Sequence, residues 1–223
     1  MRLTRSPTAE DLAWWDTTVA AGGRLDDADR ARVSPHVRVC ELARGEVFLR
    51  AGEPAVDVGL IRAGLVREKF LLPDGDERTR AFGIAGDFAG SLSDLLRGGP
   101  SRTEVEACAE TRVMVVPWAR VSDAVAASAG WRQLLERITR RLYLAKSDRE
   151  YELLALDAAE RYRRFRARFP RLEAVVAQKH VASYLGITPE HLSRVRAQLG
   201  VQRARSTPRA APKPPRNASQ RAK

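Results

Sequence analysis

Apolar positions change their spacing twice along the chain. After Ser6-Pro7, a capping residue followed by a proline suited to the first helical position, Leu12, Trp15 and Val19 recur at helical intervals, so residues 1–35 are predicted to be helical. From Val37 to Val116 the spacing shortens to the runs VRVCEL, EVFL, VGLI, LVREKFLL, RTRAFGI and VMVV, punctuated by Gly45, Gly52, Gly64, Gly75, Gly86 and Gly90. Short strands at such intervals predict an antiparallel barrel or sandwich. Pro73-Asp74-Gly75 carries the turn chemistry of a tight reversal, which predicts a hairpin from Leu65 to Phe82.

Beyond Trp118 the helical period returns. Trp131, Leu135, Ile138, Leu142 and Ala145 alternate steps of four and three, which is a coiled-coil seam and a candidate dimer interface. The stripe breaks at Arg149 and Glu152, and an amphipathic helix packed on its own domain would carry the same pattern. Asp157-Ala158-Ala159-Glu160 resembles a helix start, Tyr162, Phe165 and Phe169 form one apolar face, and Pro170 ends it. Two further helices are expected over residues 174–199.

The fold class expected is α+β. An N-terminal antiparallel β-barrel or jelly roll with flanking helices spans residues 1–125, a long dimerisation helix 126–156, and an all-α helix-turn-helix domain 157–202. A basic tail read as disordered occupies 203–223, with four prolines, seven basic residues and no acidic one.

The 223 residues suit two modules, and 44% hydrophobic with 30% charged residues excludes wholesale disorder. The formal charge is +11, but the tail accounts for seven of those charges, so the rest of the chain holds only +4. Clustered positive charge points to nucleic acid or anionic lipid without choosing between them. No stretch reaches the length of a signal peptide or a membrane span, so the expected location is cytoplasmic, with no membrane partner. Cys40 and Cys108 form no CxxC or cluster, so neither metal nor iron-sulfur centre is indicated, and buried thiols are expected. GxxxxGK[ST], GxSxG, HExxH and GxGxxG are all missing, and the three histidines form no catalytic grouping, so the chain does not read as an enzyme.

The segment QKHVASYLGITPEHLSRVRAQLG, Gln178 to Gly200, is the sharpest signal. Two short helices that cross closely need a small residue, a permissive turn glycine and apolar residues where they meet. Ala182, Gly186, and the set Val181, Leu185, Ile187, Leu192 and Val195 meet those needs, while Thr188 and Pro189 cap and open the second helix. Glu190, Ser193, Arg194 and Ala197 then share one outer face, where Arg can pair with guanine and Glu can accept from cytosine. Candidate contacts to double-stranded DNA are Gln178, Lys179, Thr188, Pro189, Glu190, Ser193 and Arg194.

Along residues 37–200 the chain resembles the Crp/Fnr family of transcription regulators. Gly52, Leu60-Ile61-Arg62-Ala63-Gly64, Asp74-Gly75 and Gly86-Asp87-Phe88-Ala89-Gly90 match its cyclic-nucleotide-binding-type barrel, and Glu190-x-x-Ser193-Arg194 coincides with its base-reading positions. The resemblance implies a homodimer on a near-palindromic DNA site, an effector sensed by the barrel, and RNA polymerase as a further partner. It places the effector near Gly90, Ser91, Ser101 and Arg102. Three departures follow. Members that bind cyclic AMP carry glutamate where Ser91 stands and an Arg-Ser pair where Ser101-Arg102 stands. A one-residue shift in a strand turns a side chain to the other face, so cyclic AMP binding of the usual kind is not expected. The cysteine cluster of the oxygen-sensing branch is missing, and His36, alone outside the DNA module, does not make a haem site. No wing hairpin follows the second helix. The rival expectation is a nucleotide- or partner-binding sensor or scaffold whose C-terminal helices bind protein and not DNA.

Overall fold

A computed structural model describes residues 4–22 and 24–201. The chain opens with strand β1 (Thr4–Arg5), followed by helices α1 (Ala9–Gly22) and α2 (Asp27–Ala31). Helix α1 starts later than the Ser6-Pro7 cap predicts. Thr8 and Asp11 bond reciprocally there, the Asp11 amide donating to Thr8 Oγ1 at 3.2 Å and the Thr8 amide to Asp11 Oδ2 at 3.0 Å. Those bonds satisfy two amides of the first turn, while β1 pairs with a later strand and keeps the preceding residues extended.

Strands β2 (Arg38–Leu42), β3 (Val47–Leu49), β4 (Asp57–Ala63), β5 (Leu65–Leu71), β6 (Glu77–Ile84) and β7 (Phe88–Ala89) follow. Helix α3 (Leu92–Arg97) separates them from β8 (Glu104–Ala107) and β9 (Thr111–Pro117). All pairs are antiparallel, in two sheets ordered β1-β2-β9-β4-β7 and β3-β8-β5-β6. Their facing sides close on Phe48, Ile61, Val66, Val105 and Val113, which is the jelly-roll interior. The β4–β5 reversal depends on Gly64, whose φ is +101° and where a Cβ would overlap Thr111.

Helices α4 (Trp118–Ala127) and α5 (Ala129–Ala155) meet at Ser128, whose side chain caps α5 through the Trp131 amide. A second core joins them to α1 and the outer side of the first sheet through Trp15, Val19, Met114, Val116, Trp131 and Leu134. Trp131 is 4% exposed and its indole N–H donates to Asp29 O at 2.8 Å, so this end of the expected seam belongs to the protomer's own core. Leu135, Ile138, Leu142 and Ala145 are half-buried. The outward face of α5 instead carries exposed Leu144, Tyr151 and Leu154.

Helices α6 (Ala158–Arg168), α7 (Gln178–Leu185) and α8 (Pro189–Gln198) complete the chain, α6 being capped by Asp157 through the Glu160 amide at 2.8 Å. The third core crosses from barrel to helices. Phe82 of β6 meets Phe165, Phe169 and Tyr184 at ring-centroid distances of 6.4, 6.0 and 5.5 Å. Cys40 and Cys108 are both buried. The predicted basic tail, 203–223, lies outside the described residues.

Candidate nucleic-acid interface and sensor cavity

Helices α7 and α8 are joined by Gly186 at φ +68°, a conformation that lets α7 end and the chain reverse within three residues. Thr188 caps α8, its Oγ1 accepting from the His191 amide at 3.2 Å, with Pro189 at the first helical position. Leu192 and Val195 are fully buried against α7, which leaves Glu190, Ser193, Arg194 and Ala197 on the exposed face. Glu190 sits at the α8 amide end, and the hydrogen bonds of its own backbone and of Thr188 hold its carboxyl below the usual range. Arg196, on the same helix, is buried and faces Glu173, which also accepts from the Tyr162 hydroxyl at 2.9 Å. It braces the helices and is not available to a ligand. Lys179, Thr188 and Pro189 are exposed and Gln178 is half-buried.

The other side of α7 lies on β6, an edge strand of the second sheet. Ser183 Oγ accepts from the Thr79 amide at 2.9 Å, covering a donor that an edge strand leaves open. His180 bonds to Arg67, which is 2% exposed and also reaches Glu77 at 2.6 Å and Glu106 at 2.9 Å. Lys69 holds the same two carboxylates at 2.6 and 2.7 Å. Burial alone would raise the Glu77 carboxyl, but Lys69 and then Arg67 bring it down to about 2. Burial, then the Arg67 and Lys179 charges, push the His180 imidazole down to about 4, so it docks neutral. The acidic β5–β6 turn, with Asp76 and Glu77, faces Lys179 and Thr188 across a crevice. Sequence reasoning missed this contact, because β5 and α7 are more than a hundred residues apart.

The barrel positions Gly90, Ser91, Ser101 and Arg102 close together, but around a residue of the chain itself. Asp94, 2% exposed, receives the Ser101 hydroxyl at 3.0 Å and the Arg102 amide at 3.1 Å on Oδ2, while Arg97 lies 3.1 Å from Oδ1. Burial favours the protonated form, yet the bonds from Ser91, Ser101 and Arg102 keep the carboxyl below its ordinary value. Ser91 and Ser101 are buried, whereas the Arg102 side chain is exposed. The turn therefore meets an anion already in place. Beside it a cavity of about 330 Å³ opens between β4, β6, β7 and α5 and extends to Phe169 and Tyr184. Among the described residues no group of His, Cys, Asp and Glu is arranged to hold a metal, and no helix is long and apolar enough to cross a membrane.

Fold and surface define a class: a jelly-roll barrel of the cyclic-nucleotide-binding type, a long helix and a helix-turn-helix. Residues 39–128 match the family described as the cyclic nucleotide-binding domain. Over 166 residues the chain is 26% identical to the fumarate and nitrate reduction regulatory protein of Escherichia coli K12, covering 69% of this chain and 65% of that relative's length. The structure is similar to FixK2 from Bradyrhizobium japonicum, with 27% identity, a TM-score of 0.65 and coverage of 74% of this chain and 84% of the other. It also shares the fold of the c-di-GMP-responsive regulator CLP of Xanthomonas campestris, with 17% identity, a TM-score of 0.62 and coverage of 78% and 92%. In domain order, sequence and fold the chain is similar to regulators of the Crp/Fnr family.

Proposed function

We propose that the protein is a cytoplasmic, non-enzymatic transcription regulator that binds a near-palindromic DNA site as a homodimer and takes its signal through the barrel. The observation that carries this reading is the exposed face of α8, with Glu190, Ser193 and Arg194 directed outward from a capped, glycine-turned helix pair. Such a face fits a major groove, with Arg194 able to make a bidentate pair with guanine. The relatives' names agree with this reading, and RNA polymerase is then a natural further partner.

Dimerisation would cover the outward stripe of α5. Leu144, Tyr151 and Leu154 follow one another by seven and three residues, the spacing of a coiled-coil seam, whereas Ile138, Leu142 and Ala145 lie on the side of α5 that faces the barrel cavity. In the state described, the acidic β5–β6 turn stands beside Lys179 and the start of α8. A duplex seated on α8 would lie against that turn, so release of the helix pair from β6 would clear its approach.

The test is selection of bound DNA from a random pool, followed by isotherms on the selected site and a scrambled duplex. Enrichment of a palindrome with half-sites ~10 base pairs apart supports the reading. No enrichment, with binding to protein partners instead, would favour an interaction module.

A further inference from the structure

The cavity between barrel and α5 has one polar corner. On the barrel side Arg80 lies 2.8 Å from Glu68, and from α5 Lys146 stands at the mouth. The other cations around the cavity are already engaged. Arg141 pairs with Asp87, Arg149 reaches Glu152 at 3.3 Å and stacks 4.1 Å from the Tyr184 ring centre, and Arg168 lies 5.3 Å over Phe169. Lys146 is exposed and is attracted by Glu68, which Arg80 already holds. The corner thus holds two cations and one carboxylate. Burial and the neighbouring Arg80 disfavour the charged form of Lys146, while Glu68, which favours it, is shared with Arg80, so the corner carries one cation more than it has carboxylates.

The rest of the wall is apolar. Leu60, Phe82 and Phe88 of the barrel face Leu134, Ile138 and Leu142 of α5. At about 330 Å³ the space is in the range of small-molecule sites. A sugar and base would find few polar partners along those walls. A phosphate would have to displace the buried Asp94 carboxylate from Ser101 and Arg102, or lie beside it as a second anion.

Resting on the barrel being the sensor, we propose that the effector is a small apolar monocarboxylate whose charge pairs with Lys146 and Arg80 and whose body fills the space between Phe82, Ile138 and Leu142. Asp94 is the internal counterpart of this choice, since it satisfies the turn that a cyclic phosphate would otherwise use. A ligand in the cavity touches the barrel, α5 and, through Phe169 and Tyr184, the helices that carry α8. It is placed to bias the docking of α7.

The test uses full-length protein, calorimetric titration, and three probes: decanoate, decanol and cyclic AMP. Decanoate is expected to bind at least tenfold more tightly than decanol, with cyclic AMP giving no heat and no competition. Lys146→Ala and the stem-preserving Lys146→Met should each weaken decanoate about tenfold while decanol changes little, and Leu142→Trp should remove both. Circular dichroism checks the fold of Leu142→Trp, and the two lysine variants carry the test if that one fails to fold. Failure of decanoate to bind, equal affinity for decanoate and decanol, or competition by cyclic AMP would each overturn the proposal. Binding of the selected duplex by ligand-free protein, and its loss in Arg194→Ala, report on the DNA reading separately.

Discussion

Helices α7 and α8 come from one hairpin of similar composition, yet their polar faces have opposite fates. On α7, His180 and Ser183 are occupied by Arg67 and by the Thr79 amide of the barrel. On α8, Glu190, Ser193 and Arg194 face solvent, and Leu192 and Val195 are turned inward. The difference teaches that the helix pair is divided between two partners. One face is committed within the chain, and the other is left for a ligand outside it.

Four experiments press on that division. The largest effect is expected from Phe82→Ala, because Phe82 is 4% exposed and packs against Phe165, Phe169 and Tyr184. It should cost about 3–5 kcal/mol of stability in urea unfolding. Hydrogen exchange should show the loss concentrated in α7 and β6. Unaltered protection of α7 would mean that the docking does not depend on this aromatic cluster.

Arg194→Ala comes next. It should lower affinity for the selected duplex by about 1–3 kcal/mol per half-site, with little change on a scrambled duplex or in the slope against salt. Equal weakening of both duplexes would make α8 a phosphate contact and not a reader.

Ser183→Ala leaves the Thr79 amide without its partner, at a cost of about 1 kcal/mol to docking. Selected-site affinity should rise slightly if release of α7 precedes DNA binding, and isotherms run beside the parent protein decide this.

The fourth experiment concerns acidity. His180 is held at about 4 against an ordinary 6.5, so the undocked imidazole takes up a proton more readily than the docked one. Docking is fully supported above pH 6.5 and weakens as pH falls towards 4. Glu77, at about 2, remains ionised through that window, and Glu106 is likewise held below its ordinary value. The protection factors of α7 amides, taken against the intrinsic exchange rate at each pH, should fall between pH 6.5 and 5, and His180→Gln should flatten the dependence.

Much of this architecture is legible in the chain because its signals are local. Gly64, Gly75 and Gly186 mark reversals by their backbone needs, and Thr188-Pro189 announces a helix start. Strand β8 escapes notice since Glu104-Val105-Glu106-Ala107 is short and half acidic, and Lys69 and Arg67 on the neighbouring strand explain those carboxylates. The heptad spacing of Trp131 to Ala145 identifies an apolar face but not its partner, and part of that face packs on the protomer's own barrel. Counting along the chain leads to Ser101 and Arg102, yet nothing near them in sequence announces that Asp94 closes onto both. The docking of α7 is the least legible, because Arg67 and His180 meet only after the whole fold has formed.

Helix α5 is anchored near one end, where Trp131 is locked among α1, α2 and the first sheet. Its other end carries Arg149 against Tyr184 and lies beside Gly186 at Leu153. The helix is therefore a lever with its pivot in the barrel, and its 27 residues give it a length of about 40 Å. Tilting it by ~5° about Trp131 would carry Leu153, ~33 Å away, through about 3 Å. That travel matches a hydrogen-bond length, enough to part Ser183 from the Thr79 amide. Since Ile138 and Leu142 lie between pivot and tip, a wedge of one methyl group at the cavity is magnified by the time it reaches the DNA-reading head.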